Sequence, residues 1–355
     1  MNDPKEAALR LALTPRLGLR KTVKLRDAFG TLLAAYHASR RAWEGSGVAG
    51  ELWEVARSEW MTDRLQGLLP RCDEAGIEIL ALDTPDYPAM LAAIFDAPPV
   101  LYVRGRSLSD LPLQRSVAIV GTRKASNQGL AFSYRLAAEL SSAGAVIVSG
   151  LAIGIDAEAH RAVVEGEGVG IGVLAGGLDG VHPPVNRQLA LALCERGCLV
   201  SEHPPGSSPQ RAFFVGRNRL ISGLSRAVAV IEAGKGSGAL TTAEFANEQG
   251  RTLFVMPGRP GDPRVAGSLP LLLDGATPLL SSAEVAAELG LGVQEREEEP
   301  IVELGDDGSL FTAGATFDAI AAVSGLPAPS LLARLSRLEM AGLVRRGTDG
   351  RYYRN

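Results

Sequence analysis

The sequence predicts an α/β protein with a doubly wound parallel sheet, flanked by a small N-terminal helical domain and a C-terminal winged helix. Between residues 113 and 292, short and nearly continuous apolar runs alternate with glycine-rich turns and helical segments, as buried parallel strands with crossover helices require. Residues 1–95 carry leucines and alanines at helical spacing. Residues 309–355 have the pattern helix, turn, helix and hairpin, which is typical of a winged helix.

Six apolar runs define the strands of the predicted sheet. In chain order they are SVAIVG, AVIVSG, VGIGVLAGG, CLVSEH, AVAVIEAG and RTLFVMPG. The helices that follow are expected to begin near Asn127, Asp156, Pro184, Arg217 and Leu240. Because ligands of a doubly wound sheet bind at the carboxyl ends of its strands, the turns after these runs are the candidate site.

The domain boundaries follow from these patterns. We expect a helical domain over residues 1–95, an α/β domain over 96–292, an acidic linker over 293–308 and a winged helix over 309–355. The N-terminal turn PRLGLRK fits a SAM-like or helix-hairpin-helix unit that holds a phosphate. A turn that only separates two helices is the alternative. In the tail, SGLPAPS is the predicted turn and Ser330 the predicted N-cap. A winged helix is compatible with binding duplex DNA, binding a protein, or only packaging the chain end.

Composition and charge restrict the class of protein. The formal net charge is −4, so a polyanionic ligand has to be met by a local basic patch. Cys72, Cys194 and Cys198 have no histidine spaced to complete a zinc site, and we expect buried thiols and no metal. The N-terminus lacks the apolar core of a signal peptide, and no apolar run approaches the roughly 20 residues of a membrane span. We therefore expect a soluble, cytoplasmic protein.

The turn VGTRKAS after the first strand is a candidate anion site. Its candidate residues are Gly121, Thr122, Arg123 and Lys124. The positive charges of Arg123 and Lys124 lie just before a helix start, where free backbone amides already favour an anion. The turn does not match the GxGxxG fingerprint, and the second strand ends in Ser149 and Gly150 instead of an acidic residue that would bind a ribose. A nicotinamide cofactor is therefore not expected.

The turn EAGKGSGALTTAEFA after the fifth strand predicts a phosphate cradle. Its glycines allow close backbone approach, its lysine adds a cation, and its hydroxyls donate to phosphate oxygens. The candidate residues are Lys235, Gly236, Ser237, Gly238 and Thr241. The segment does not match the Walker pattern GxxxxGK[ST]. A tight turn without a ligand is the alternative.

The stretch RAFFVGRNR combines aromatic and basic residues. We expect its two phenylalanines to precede a helix, where a ring can stack a base for ~1–3 kcal/mol. The arginines would neutralise phosphates, and the asparagine would bond a base edge or cap the helix. The candidate residues are Arg211, Phe214, Arg217, Asn218 and Arg219. A packed phenylalanine pair with surface arginines is the alternative. Together with the two turns, the stretch predicts binding of a single-stranded nucleic acid.

With these motifs assembled, the middle domain resembles the DNA-processing protein A (DprA/Smf) family. The motifs VGTRKAS, SGLAIGIDAEAH, GGLDGVHPPVN, SEHPPG, GRNRLISGLS and EAGKGSGALTTAEFANEQGR…VMPG occur in the family order. The resemblance implies an extended Rossmann fold that binds single-stranded DNA, protects incoming DNA in natural transformation and loads the RecA recombinase. It also implies a homodimer through the α/β domain, with single-strand-binding protein and duplex DNA as further candidate partners and no cofactor.

The resemblance assigns DNA contacts to residues already singled out, among them Arg123, Arg211 and Phe214. This chain also departs from the family pattern. Ile153 stands where the family often has a basic residue, and a proline pair, Pro183 and Pro184, occupies the turn in which the family often has a lysine. Fewer cations would then surround the pocket, and the two arginines would carry more of the binding.

Two other functions stay open. The segment GKGSGALTTAEF loosely resembles the phosphate-binding loop of nucleoside-monophosphate phosphoribohydrolases, where Glu244 or Glu232 would assist glycosidic cleavage. The PGG opening of that loop is absent, and no nucleophile and base are visible around His160. We therefore predict a binding protein and not an enzyme. The other alternative is an interaction protein that works through its winged helix.

Overall fold

The computed structural model describes residues 3–292, 314–324, 331–332, 335–336, 338–339, 343–347 and 349–354. The polypeptide divides into two compact units, Met1–Val293 and Gln294–Asn355. The predicted acidic linker at 293–308, and residues 325–330 of the predicted turn SGLPAPS with its N-cap Ser330, lie outside the described residues. Ser324, the first residue of that turn, is helical.

A nine-stranded sheet forms the centre of the described part of the first unit. Its strands are β1 (Ile77–Ala81), β2 (Val100–Gly105), β3 (Ser116–Val120), β4 (Val146–Ser149), β5 (Val169–Val173), β6 (Cys198–Ser201), β7 (Ala227–Val230), β8 (Thr252–Val255) and β9 (Thr277–Pro278). The strand order is β1-β2-β6-β5-β4-β3-β7-β8-β9. β2 pairs antiparallel with β1 and β6, and all pairs from β6 to β9 are parallel.

The six apolar runs are the parallel strands β3 to β8, which confirms the predicted sheet. Every residue of β3, β4, β6 and β7 is buried. Burial on both faces explains why these strands are continuously apolar and do not alternate. From β3 the chain moves outward through β4, β5 and β6, and then returns to place β7 on the other side of β3. The strand order therefore reverses between β3 and β7, and a ligand site is expected at this point.

Helices connect and cover the strands. They are α1 (Pro4–Leu13), α2 (Gly18–Phe29), α3 (Leu32–His37), α4 (Arg40–Gly45), α5 (Gly50–Arg57), α6 (Glu59–Glu74), α7 (Ala89–Ala92), α8 (Asn127–Ser142), α9 (Ile155–Glu165), α10 (Arg187–Arg196), α11 (Arg211–Gly223), α12 (Gly238–Glu248), α13 (Leu269–Leu273) and α14 (Ser282–Glu288). Short 3₁₀ turns lie at Leu108–Asp110, Leu113–Arg115 and Pro184–Asn186. The starts of α8, α9 and α12 lie within two residues of the predicted positions, and the start predicted near Pro184 falls on the 3₁₀ turn that leads into α10.

The predicted start of α11 is wrong. The helix begins at Arg211, six residues before the predicted start at Arg217, so both phenylalanines lie inside its first turn. Gln210 precedes the helix without a side-chain capping bond, and Val215 and Gly216 have low helix propensity. The sequence therefore lacks a local start signal here.

The N-terminal helical segment also contributes to the sheet. β1 lies inside the segment that the sequence assigns to the helical domain, and pairs with β2 from Ile77↔Arg104 to Ala81↔Val100. One apolar core extends from Ala7 to Leu289. The turn PRLGLRK joins α1 to α2. Of the predicted buried thiols, Cys72 and Cys198 are buried and Cys194 is half-buried.

The second unit has the elements of a winged helix, as predicted. α15 (Phe317–Ser324) is followed by residues 331–332, 335–336 and 338–339 in helical conformation, and by β10 (Val344–Arg346) and β11 (Tyr352–Arg354). The two strands form an antiparallel hairpin. Ile320, Leu331, Leu335, Leu338 and Val344 belong to its core. In the part of the chain described above, no helix has the length and apolarity to cross a membrane.

Candidate functional site

A pocket of about 600 Å³ opens where the strand order reverses. Its walls are the loops after β3, β4 and β7, the part of α11 between Phe214 and Ile221, and the first turns of α9 and α12. The predicted site residues that line it are Gly121, Thr122, Arg123, Lys124, Phe214, Arg217, Asn218, Lys235, Gly236, Ser237, Gly238 and Thr241. The three motifs that the sequence singled out are therefore brought together at one edge of the sheet.

The turn between β3 and α8 is held by the neighbouring strand β7. The Thr122 amide donates to the Glu232 carbonyl at 2.7 Å. The Glu232 carboxylate accepts from the amide and the hydroxyl of Ser126 at 2.9 and 2.6 Å, and Ser126 also caps α8. With its backbone fixed in this way, the turn leaves Arg123 and Lys124 exposed at the pocket.

Only one of the two phenylalanines at the start of α11 faces the pocket. Phe214 is half-buried, with the Arg123 guanidinium 5.7 Å from its ring centroid and the His182 ring edge-on at 5.9 Å. Phe213 is stacked on His203, with ring centroids 3.9 Å apart, and it does not line the pocket. Phe214 is thus the ring that a ligand in the pocket can reach.

The turn between β7 and α12 places small residues at a helix start. Gly236 has φ +75°, a conformation that glycine adopts without strain. Ser237 caps α12 by accepting from the Ala239 amide at 3.4 Å. Lys235 is exposed at the pocket. A cation beside a helix N-terminus is a favourable arrangement for an anion.

Arg217 lies in the wall of the pocket and is buried. It donates to the carbonyl oxygens of Gly150, at 2.8 Å, and of Val173, and its Nε donates to Asn218 Oδ1 at 3.3 Å. Burial lowers its pKa to about 10, although the nearby Asp156 carboxylate opposes this shift. Arg217 therefore attaches α11 to the ends of β4 and β5, and only part of its guanidinium faces the pocket.

Asp156 is a pocket residue that the sequence analysis missed. It lies in the first turn of α9, lines the pocket, and accepts from the Gly150 amide at 3.1 Å. Burial raises the pKa of its carboxyl group. The sequence signal that could have identified it is its position in SGLAIGID, at the start of a helix that follows a strand of the sheet. The partner of its charge, Arg217, is distant in sequence.

The structure contradicts the predicted phosphate contact of Arg219. This side chain is buried, and it donates to both carboxylate oxygens of Glu202 at 2.9 and 2.7 Å. Its Nε lies 3.0 Å from the Asp96 carboxylate. Burial alone would lower its pKa, but the two carboxylates raise it overall. The charge of Arg219 is therefore used inside the protein.

Three further predicted residues do not line the pocket. Ser149 is fully buried and its hydroxyl donates to the Ile119 carbonyl at 2.6 Å, so it is not available to a ligand. Gly150 is buried, and its amide and carbonyl are both bonded within the protein. Arg211 is exposed at the first position of α11, outside the pocket lining.

The residues of the hydrolase alternative do not converge. Glu244 is exposed on α12 and does not line the pocket. Glu232 is buried and engaged by Ser126. His160 is fully buried, and burial lowers its pKa to about 4. None of these three residues lines the pocket, so the set that the sequence suggested for glycosidic cleavage is not assembled there.

Comparison with known proteins first places the chain among DNA-processing proteins with a winged helix. Residues 78–290 match the family model described as DNA recombination-mediator protein A, and residues 312–350 match the DprA winged helix domain. The chain belongs to the DNA recombination-mediator protein A family.

Individual relatives agree with this assignment. The chain is 36% identical to protein Smf of Synechocystis over 78% of this chain and 80% of that protein. It is 40% identical to DNA processing protein DprA of Bacillus subtilis over 64% and 76% of the two chains. The X-ray structure of DprA from Streptococcus pneumoniae matches with a TM-score of 0.67 and 29% identity, over 81% of this chain and 99% of that one.

A second solved structure concerns DNA directly. DNA processing protein A from Helicobacter pylori, described with a unique single-stranded DNA binding mode, matches with a TM-score of 0.53 and 28% identity. The match covers 60% of this chain and 96% of the other.

Proposed function

We propose that this protein binds single-stranded DNA in the pocket between β3 and β7, and that it acts as a recombination mediator and not as an enzyme. The observation that carries the proposal is the meeting of exposed cations, Arg123, Lys124 and Lys235, with the accessible ring of Phe214 at one pocket. Cations neutralise phosphates, and an aromatic ring stacks any base, because every base has a π-face.

The form of the site favours a single strand over a duplex. The phosphates would lie against the β3–α8 turn and the N-terminus of α12, where exposed cations and helix amides are close together. A base would have to leave its neighbours to reach Phe214 inside the pocket. The bases of a duplex are already stacked and paired, and releasing one costs a few kcal/mol.

The wider role rests on the family. We propose that the protein protects incoming DNA in natural transformation, loads the RecA recombinase in the cytoplasm, and works as a homodimer through its α/β domain. Single-strand-binding protein and duplex DNA are proposed as further partners. Membership in the recombination-mediator family and the single-stranded DNA binding described for the Helicobacter pylori protein support this role.

The first test concerns the cationic side of the pocket. Arg123→Ala should weaken binding of an oligothymidylate and make the dependence of log affinity on log salt shallower by about 0.7, one phosphate's share. Arg135→Ala is the matched control, because Arg135 is an exposed arginine on α8 that does not line the pocket. Affinity is measured by fluorescence anisotropy at several salt concentrations. A folded Arg123→Ala protein with wild-type affinity and salt slope would show that the pocket is not the binding site.

A further inference from the structure

Three exposed apolar side chains lie on elements that border this pocket, and Val215 is the one that lines it. Ile153 is 45% exposed, Val185 is 75% exposed and Val215 is 53% exposed. Isolated exposed apolar residues are normal on a protein surface. Several of them beside one pocket are typical of a surface that a partner covers. We call Ile153, Val185 and Val215 the apolar half of the site.

Close contacts tie the apolar half to the pocket. Val215 lines the pocket directly, from the first half of α11. Ile153 lies in the loop between β4 and α9, next to Gly154. A Cβ atom at Gly154 would lie only 2.5 Å from the Thr122 carbonyl oxygen, so this loop is packed against the turn that carries Arg123.

The turn that carries Val185 is attached to the same loop. The Asn186 side-chain amide donates to the Leu151 carbonyl at 2.8 Å. At the other end of this turn, the His182 ring lies 5.9 Å from the Phe214 ring. The turn therefore lies between the β4–α9 loop and the start of α11, beside the mouth of the pocket.

The order of the strands separates apolar and charged residues. β5, β4, β3 and β7 are adjacent in the sheet. The loops after β5 and β4 carry Val185 and Ile153, and the loops after β3 and β7 carry Arg123, Lys124 and Lys235. We call these three cations the cationic half. Adjacent strands are about 4.8 Å apart, so the two halves lie within the reach of one nucleotide and its neighbours.

We infer that the apolar half binds nucleobases of a DNA strand whose phosphates lie on the cationic half. This inference rests on the proposed function and adds a direction to it: backbone on the β3 and β7 side, bases on the β4 and β5 side. A nucleobase is the occupant that fits, because its apolar face is joined covalently to a phosphate and the two halves are continuous through Phe214.

The experiment separates bases from phosphates. Binding of an oligothymidylate is compared with binding of an abasic deoxyribose-phosphate oligomer of the same length, by fluorescence anisotropy over a range of salt. Wild type should prefer the oligothymidylate by about tenfold or more, since tenfold corresponds to only 1.4 kcal/mol. The double variant Ile153→Ser with Val185→Ser should lose part of this preference, because only the share of Phe214 remains, with unchanged affinity for the abasic oligomer and an unchanged salt slope.

Controls distinguish the inference from the function on which it rests. Leu69→Ser changes a 40% exposed leucine on α6 and should leave both affinities unchanged. Arg123→Ala should weaken binding of both oligomers and leave the preference for the oligothymidylate unchanged. If the serine double variant does not fold, Ile153→Thr with Val185→Thr is used in its place, because threonine keeps the β-branched shape.

Two results would overturn the inference and leave the proposed function standing: a preference that the double variant keeps in full, or equal losses on both oligomers in the double variant. The second result would show that the apolar half supports the sugar-phosphate chain or the fold of the pocket, and not the bases. No wild-type preference for bases would count against stacking on Phe214 as well, and so against the proposed function. Binding of both oligomers without any dependence on Arg123 would instead reject the proposed function itself.

Discussion

At the scale of the residue, the surroundings of each arginine decide its role. Arg123 is exposed beside the Phe214 ring, and no ion pair within the described residues involves it. Arg219 has the same charge but is enclosed by two carboxylates. These partners, Asp96 and Glu202, lie 123 and 17 residues away in the chain. The sequence therefore identified the basic cluster but not which of its members is free to bind a phosphate.

The role of Phe214 can be tested against its neighbour. Phe214→Ala should weaken binding of a single strand by ~1–3 kcal/mol and affect duplex binding much less, because duplex bases are already stacked. Phe213→Ala is the matched control, since Phe213 is the same residue type in the same helical turn but is stacked on His203, outside the pocket. Affinities for both substrates and the thermal unfolding of each variant are measured.

Three outcomes would count against stacking by Phe214. They are an equal loss on single strands and duplexes, a loss from Phe213→Ala as large as that from Phe214→Ala, and a fall in thermal stability without a specific binding defect. Each would indicate that Phe214 packs within the protein and does not stack a base.

At the scale of the element, the strands were predictable and one helix start was not. β3 to β8 were visible because burial on both faces makes their sequences continuously apolar. The starts of α8 and α12 lie beside the two glycine-rich turns that the sequence singled out, and in the structure serines cap both helices. α11 lacks a cap and has Val215 and Gly216 in its first turns. It is held by contacts distant in sequence, such as Arg217 with Gly150 and Val173, which no local pattern reports.

The antiparallel edge of the sheet was missed for a related reason. β1 is a run of five residues that directly follows the long helix α6. It pairs with β2, and the two strands are separated in the chain by a segment that contains α7. Strand pairing between such distant segments depends on tertiary packing, which short-range periodicity does not report.

The attachment of α11 gives a prediction about stability. Arg219→Ala should lower the free energy of unfolding by about 3 kcal/mol, because the Glu202 carboxylate, which is only 17% exposed, loses its partner. The Asp96 carboxylate is 36% exposed and should contribute less. The control is Arg226→Ala, since the pair between Arg226 and Glu288 is more exposed, and its loss should cost less than about 1 kcal/mol. Chemical denaturation measures both values.

DNA binding by the same variants completes the test. Folded Arg219→Ala protein should keep the salt slope of wild type, because this charge does not face a phosphate. A salt slope shallower by one phosphate's share, with wild-type stability, would restore the role that the sequence alone suggested for Arg219.

At the scale of the whole molecule, the net charge does not favour a polyanion. The chain carries a net charge of −4, so its overall field does not attract a polyanion. The exposed cations that line the candidate pocket, Arg123, Lys124 and Lys235, lie on the loops after β3 and β7. Binding of DNA should therefore depend on these few residues, and their removal should separate DNA binding from every other property of the protein.

This separation allows a test of the mediator role. RecA-catalysed strand exchange is measured on single-stranded DNA coated with single-strand-binding protein. Wild type should stimulate the reaction, because a protein bound to the strand can deliver RecA to it. The double variant Arg123→Ala with Lys235→Ala should not, since it removes one exposed cation from each of the two loops, and Arg135→Ala should behave as wild type. If the double variant fails to bind DNA and still stimulates strand exchange fully, RecA loading does not pass through this pocket, and the proposed link between the pocket and recombination is broken.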